Sequence, residues 1–235
     1  MSKKCVLYKN FYNYDPVIKK PKFPDCCVCV YLTDNVTSYN KAKQLDWDEV
    51  YMIDLDQGIK DPLERRKKVA YSMCYPEKLV PELNKFDYIF ICDANLVKPD
   101  SNFIHFITDM DDKALHITSG WYKGSQNTLE LELHRTLLNR RWTYNFGAIK
   151  NAYARYIKDY LINVKQCPAV SAKIMGWKLN HPKKSEIADF IYSETQKHLQ
   201  GNIILSVVSE IWKDDVFHYK GLLYDGANCN HLLQY

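Results

Sequence analysis

Short apolar runs, each closed by a polar turn, mark the first hundred residues. Lys4–Tyr8, Cys26–Leu32 and Val50–Ile53 predict three strands; the second runs out into Thr33-Asp34-Asn35 and the third into Asp54-Leu55-Asp56. Phe86–Cys92 (Phe-Asp-Tyr-Ile-Phe-Ile-Cys) is the clearest strand and stops at Asp93-Ala94-Asn95. Runs that are apolar on consecutive rather than alternate positions suit strands covered on both faces. Elsewhere the period lengthens. Pro62–Met73 predicts a helix with proline in its first turn, where the missing N–H costs nothing. Leu129–Arg141, Ile149–Val164 and Ser185–His198 predict further helices, Ile203–Trp212 fits a helix or a buried strand, and the tail from Gly221 predicts a loop. Strands alternating with helices predict an α/β fold: a mostly parallel, Rossmann-like central sheet flanked by helices. No internal repeat or low-complexity linker divides the chain, which predicts one domain over residues 1–235.

Sheets of this kind take ligands beyond the carboxyl ends of their strands. The polar clusters Asp34, Asp54 with Asp56, and Asp93 with Asn95 fall at those ends. Composition narrows the ligand. The chain has 32 basic and 28 acidic residues, a net charge of +4. That is too balanced for nucleic-acid binding and suits a local basic site for a phosphorylated ligand. Aromatics reach 14%, with 18 tyrosines, surface of the kind that stacks on sugars and bases as well as filling cores. No stretch has the length or apolarity of a signal peptide or a membrane span, so a cytoplasmic protein is expected. The eight cysteines sit mostly inside apolar runs such as Cys26-Cys27-Val28-Cys29-Val30, as buried reduced thiols do. Their spacing does not fit a zinc site.

The candidate chemistry centres on Asp93-Ala94-Asn95. A D-x-D-like triplet at the end of a buried strand offers hard oxygen ligands to Mn²⁺ or Mg²⁺, which can bridge a diphosphate and offset its charge as it leaves. One carboxylate and one amide give weak affinity, so the ion is expected to arrive with the nucleotide. Upstream, Arg65 and Lys68 share one face of the predicted helix and can reach a diphosphate or orient Asp93. A solvated basic face is the plainer reading of Arg65-Arg66-Lys67-Lys68. Asp54-Leu55-Asp56 is a literal D-x-D and ranks second, as a polar strand exit. His218 and Lys220, in Phe-His-Tyr-Lys-Gly, are phosphate candidates. Gly-x-Ser-x-Gly, Walker and Gly-x-Gly-x-x-Gly motifs are missing, which removes hydrolase, P-loop and dinucleotide readings.

The order strand, Thr33-Asp34-Asn35, strand, Arg65-x-x-Lys68, apolar strand, Asp93-Ala94-Asn95 resembles glycosyltransferases of the GT-A fold. More narrowly it is similar to the TOD1/MUCI70-like group, where an R-x-x-K helix precedes a strand ending in a D-x-N-type triplet. Leu115-His116 falls where that group has His-Pro before an acidic helix; the proline is missing here. Gln200–Ser206 falls at the group's R-D-Q-x-S block, without its Arg and Asp. The aromatic, Lys/Asn-rich style resembles glycosyltransferases of large algal viruses, which would place the protein in a host cytoplasm.

The resemblance implies a nucleotide-sugar-binding half over residues 1–100 and an acceptor-side half over 101–235. It implies transfer of a sugar from a nucleoside diphosphate sugar, a UDP-sugar first, to a glycan hydroxyl, with retention. Asp93 and His218 are then the catalytic candidates. Tyr8, Lys9, Asn10, Asp34, Arg65, Lys68, Asp93, Ala94, Asn95 and Lys220 are expected around the donor, and Asp93, Asn95 and His218 around the metal. His116 and Trp121 are expected on the acceptor side. Two other classes fit the same scaffold: an inactive carbohydrate-binding module and a nucleotidyltransferase.

Overall fold

A computed structural model of the chain describes residues 2–12, 15–56, 58–94, 101–108, 112–119, 128–138, 145–198 and 200–219. Among these, seven strands join in one sheet: β1 (Lys4–Asn10), β2 (Cys27–Thr33), β3 (Glu49–Met52), β4 (Tyr88–Asp93), β5 (Leu115–Ser119), β6 (Val170–Lys178) and β7 (Val216–Tyr219). Their spatial order is β3-β2-β1-β4-β6-β5-β7. The β1–β2, β1–β4, β2–β3 and β5–β7 pairs are parallel, whereas β6 runs antiparallel to both β4 and β5. Six strands therefore point one way, and the carboxyl ends of all six share one edge of the sheet with the start of β6.

The sheet is covered on both faces, as the consecutive apolar positions predict. In β1, Cys5 and Leu7 enter one core and Val6 and Tyr8 the other. The first core packs against α2 (Pro62–Cys74), α3 (Pro76–Leu79), α7 (Lys184–Lys197) and α8 (Gly201–Ile211). The second packs against α1 (Val36–Lys43) and α4 (Ser101–Thr108). The helices α5 (Leu129–Leu138) and α6 (Phe146–Tyr160) share a third cluster with the outer side of α8. The sequence left Ile203–Trp212 open between helix and strand; it is helical.

Local chemistry sets the ends. Asp61 caps α2 by accepting from the Leu63 N–H at 2.8 Å, with Pro62 in the first turn. Asn35 caps α1 by accepting from the Ser38 N–H at 3.0 Å. Each supplies an acceptor for an amide the helix leaves unpaired. Gly176 of β6 sits where a side chain has no room: a Cβ there would lie 2.6 Å from a ring carbon of Phe90.

Candidate functional site

The end of β1 is held by its neighbours. In register, Lys9 stands opposite both Leu32 of β2 and Asp93 of β4. Its Nζ forms an ion pair with Asp93 Oδ1, and its carbonyl accepts from the Ala94 N–H at 3.1 Å. Lys9 is largely buried and Asp93 keeps 33% of its side chain exposed. The pair thus sits at the solvent mouth of the sheet edge.

Beyond Lys9 the chain turns sharply. Asn10 is buried and fully engaged: Nδ2 donates to Asp15 O and Tyr31 Oη, both at 2.8 Å, and Oδ1 accepts from the Asp15 N–H. Tyr12 is left-handed at φ 55°, a conformation that costs a non-glycine residue about 1 kcal/mol or more. It is restrained on three sides. Asp34 accepts from its N–H with both carboxylate oxygens (2.8 and 3.1 Å), its Oη donates to Leu55 O at 2.9 Å, and the Arg65 guanidinium lies 4.8 Å from its ring centroid. Arg65 in turn donates from Nε to Ile59 O at 2.5 Å. The ends of β1, β2 and β3 are thereby tied into a platform carrying an aromatic ring and a guanidinium.

Several expected site residues lie elsewhere. Tyr8 is a core side chain packed edge-on to Trp47, with ring centroids 5.2 Å apart, so it does not flank a ligand. Asn10 has its amide committed to the turn, Asp34 acts by holding Tyr12, and Ala94 points its methyl into the core. Lys68 is exposed, one turn along from the platform. Asp54 and Asp56 close their own turn, accepting from the Asp56 N–H (2.8 Å) and the Gly58 N–H (3.2 Å). His116 is fully buried, with the ring centroids of Tyr88, Phe90, Phe106 and Phe217 at 6.0, 6.2, 6.5 and 5.5 Å; it is an aromatic core residue and not an acceptor-side group.

His218 lies on β7, three strands from β4. At about 4.8 Å per strand that is roughly 14 Å, and side chains standing normal to a sheet do not converge on one ion across such a gap. The structure does not bring His218 to Asp93. Asn95, Trp121 and Lys220 lie outside the described residues.

The donor set on the described residues does not suit a divalent ion. Mn²⁺ and Mg²⁺ favour about six oxygen ligands, carboxylates among them. Asp93 is the carboxylate that ends β4, and the Lys9 ammonium is already paired with it. No group of three His, Cys, Asp or Glu side chains able to hold a metal occurs among the described residues.

Sequence reasoning missed Tyr12, although an aromatic residue just past the first strand was the available signal. It also missed a polar cluster at the start of β6. Asn202 of α8 accepts from the Ala172 N–H with Oδ1 and donates from Nδ2 to Glu132 Oε1, both at 2.9 Å. Burial pushes the Glu132 carboxyl up, against the lowering effect of Asn202. Ala172 lies two residues before Ile174, the partner of Cys92, so this cluster borders the Asp93 end of β4. In Gln200–Ser206, Gln200 reaches Thr136 and Ser206 accepts from the Val170 N–H; that block anchors α8 to its neighbours.

No family model matches the sequence, and no curated protein matches it. Solved structures do match. Mouse xyloside xylosyltransferase 1, in its apo form, superposes with a TM-score of 0.51 at 10% identity, covering 93% of this chain and 84% of that one. The galactosyltransferase LgtC, solved with donor and acceptor sugar analogues, gives 0.50 at 11%, covering 91% and 72%. The bifunctional glycosyltransferase WbbM gives 0.52 at 9%, covering 92% of this chain and 38% of its own. At such identities the likeness is one of fold: the chain is a single α/β domain with the GT-A fold. No helix among the described residues is long and apolar enough to cross a membrane.

Proposed function

We propose that the chain is a glycosyltransferase that takes a sugar from a nucleoside diphosphate sugar, a UDP-sugar first, and passes it to a glycan hydroxyl. The observation that carries this reading is the convergence of Lys9–Asp93 with the Tyr12–Arg65 platform on one carboxyl edge of a GT-A sheet. An aromatic ring backed by a guanidinium offers a stacking surface for a base, and the Lys9 ammonium, three residues back at the end of the same strand, offers charge for a diphosphate. The narrower resemblance to the TOD1/MUCI70-like group belongs to the same proposal, since it rests on Arg65 and Asp93.

In the reaction the bond from the anomeric carbon to the β-phosphate oxygen breaks, and both electrons leave with the diphosphate. The acceptor oxygen bonds to the anomeric carbon, and its proton passes to the departing diphosphate. Fixed positive charge at the departing oxygens lowers the barrier, because it acts where charge develops and needs no reorganisation. The first hundred residues supply the donor edge; the acceptor would approach along β6, near Glu132 and Asn202. A cytoplasmic location is part of the proposal, in keeping with the free cysteines among the described residues, of which all but Cys26 are buried.

Incubation with a panel of nucleotide sugars tests the reading against its two rivals. Donor turnover with release of nucleoside diphosphate is the expected result. Tight binding without turnover would indicate a binding module, and pyrophosphate release a nucleotidyltransferase.

A further inference from the structure

We infer that Lys9 stands in for the divalent cation, so that this chain holds and releases the diphosphate without a metal. The inference rests on the donor reading above and names the group that neutralises the leaving phosphate at that site. Lys9 is the β1 residue directly opposite Asp93, and the two side chains leave the same face of the sheet as Cys5 and Leu7. The Lys9 side chain is only 12% exposed, so its stem is packed and its Nζ is confined to the mouth beside Asp93. An ammonium has three N–H donors. Asp93 engages one of them, which leaves two for phosphate oxygens arriving at the half-open edge. Asp93 then acts as a positioning residue: it pins Nζ where an ion would otherwise sit and occupies its own carboxylate in doing so.

Calorimetric titration of the full chain with UDP, and separately with GDP, in EDTA and in Mn²⁺ tests this. The expected result is a dissociation constant that chelator changes by less than about twofold, well inside the loss that a missing charged contact produces. Lys9→Met keeps the stem and removes the charge. It should weaken binding by roughly tenfold or more in EDTA, and Mn²⁺ should restore part of the loss because Asp93 is then free to hold an ion. Nucleotide binding that vanishes in EDTA and returns with Mn²⁺ in the unchanged chain would overturn the inference and leave the donor reading standing. So would a folded Lys9→Met that binds as well as the unchanged chain in EDTA. Failure of both nucleotides in either condition would remove the donor reading and this inference with it. Thermal unfolding checks the variant; where it does not fold, the chelator comparison on the unchanged chain still decides.

Discussion

Lys9 and Asp93 face each other across the parallel β1–β4 ladder and close it with an ion pair at the carboxyl edge. Either role for Asp93, ligand or anchor, makes the charge at this edge depend on it. Asp93→Ala should therefore stay folded and lose donor turnover on the order of a hundredfold. Asp56→Ala should keep most turnover, because the Asp56 carboxylate accepts from the Gly58 N–H within its own turn. Initial rates on both folded variants check the ranking. The reverse order would move the site to Asp54-Leu55-Asp56.

The two basic residues of α2 should separate. Arg65 lies against Tyr12 and holds Ile59 O, whereas Lys68 is exposed. Lys68→Ala should be nearly silent, within about 0.5 kcal/mol in stability and without effect on turnover. Arg65→Ala removes the backing of the platform, and should weaken nucleotide binding by roughly tenfold through the lost guanidinium contact. Equal behaviour of the two variants in a binding titration would return Arg65 to the solvated face.

These contrasts show how far the sequence could be read. β1, β2 and β4 were legible because strands buried on both faces carry consecutive apolar residues, and Asp93 was legible because it ends one of them. β6 was not: Ser171, Lys173 and Gly176 interrupt its apolar run. α1 was not, because only Ser38 and Ala42 of its eight residues are buried and no apolar stripe forms. His116 invited a functional reading because it is a polar residue within a short strand, yet its neighbours are aromatic rings from β4, α4 and β7 that only the tertiary fold assembles. The Lys9–Asp93 pair depends on register between strands 84 residues apart, which no local pattern encodes.

Gly176 gives a test of the packing beneath the site. A Cβ there would stand 2.6 and 2.7 Å from ring carbons of Phe90 and 3.3 Å from His116 Cβ. Both rings are buried in the second core, so neither can retreat without moving others. Gly176→Ala should cost about 1–3 kcal/mol. Urea unfolding should show a lower midpoint with an unchanged slope; an unshifted midpoint would mean that Phe90 has room the structure does not show.

Acid stability depends on a buried contact between α6 and the end of α7. Tyr156 Oη lies 2.6 Å from Glu194 Oε2 and 2.7 Å from His198 Nε2. The phenol has one proton, and the carboxylate can only accept, so Tyr156 donates to Glu194 and accepts from an Nε2–H of His198. The imidazole is then neutral, and its Nδ1, which has no partner among the described residues, carries a lone pair and not an N–H. Burial pushes His198 down to about 4, against the raising effect of Glu194. The carboxyl of Glu194 is raised by burial, but hydrogen bonds from Lys197, Tyr156 and Arg155 outweigh that and hold it below its ordinary value. Both groups therefore bind protons more readily in the unfolded chain, and stability must fall as pH falls. For His198 the contribution is complete above its unfolded value near 6.5 and is lost between there and about 4. The loss is on the order of 3 kcal/mol at 1.36 kcal/mol per pH unit. Glu194 adds its share only below the ordinary carboxylate range. Urea midpoints measured from pH 7.5 to 4 should therefore decline steadily, and His198→Gln, whose amide can still donate to Tyr156, should flatten the curve between pH 6.5 and 5. A variant with the same decline as the unchanged chain would place the acid sensitivity elsewhere in the fold.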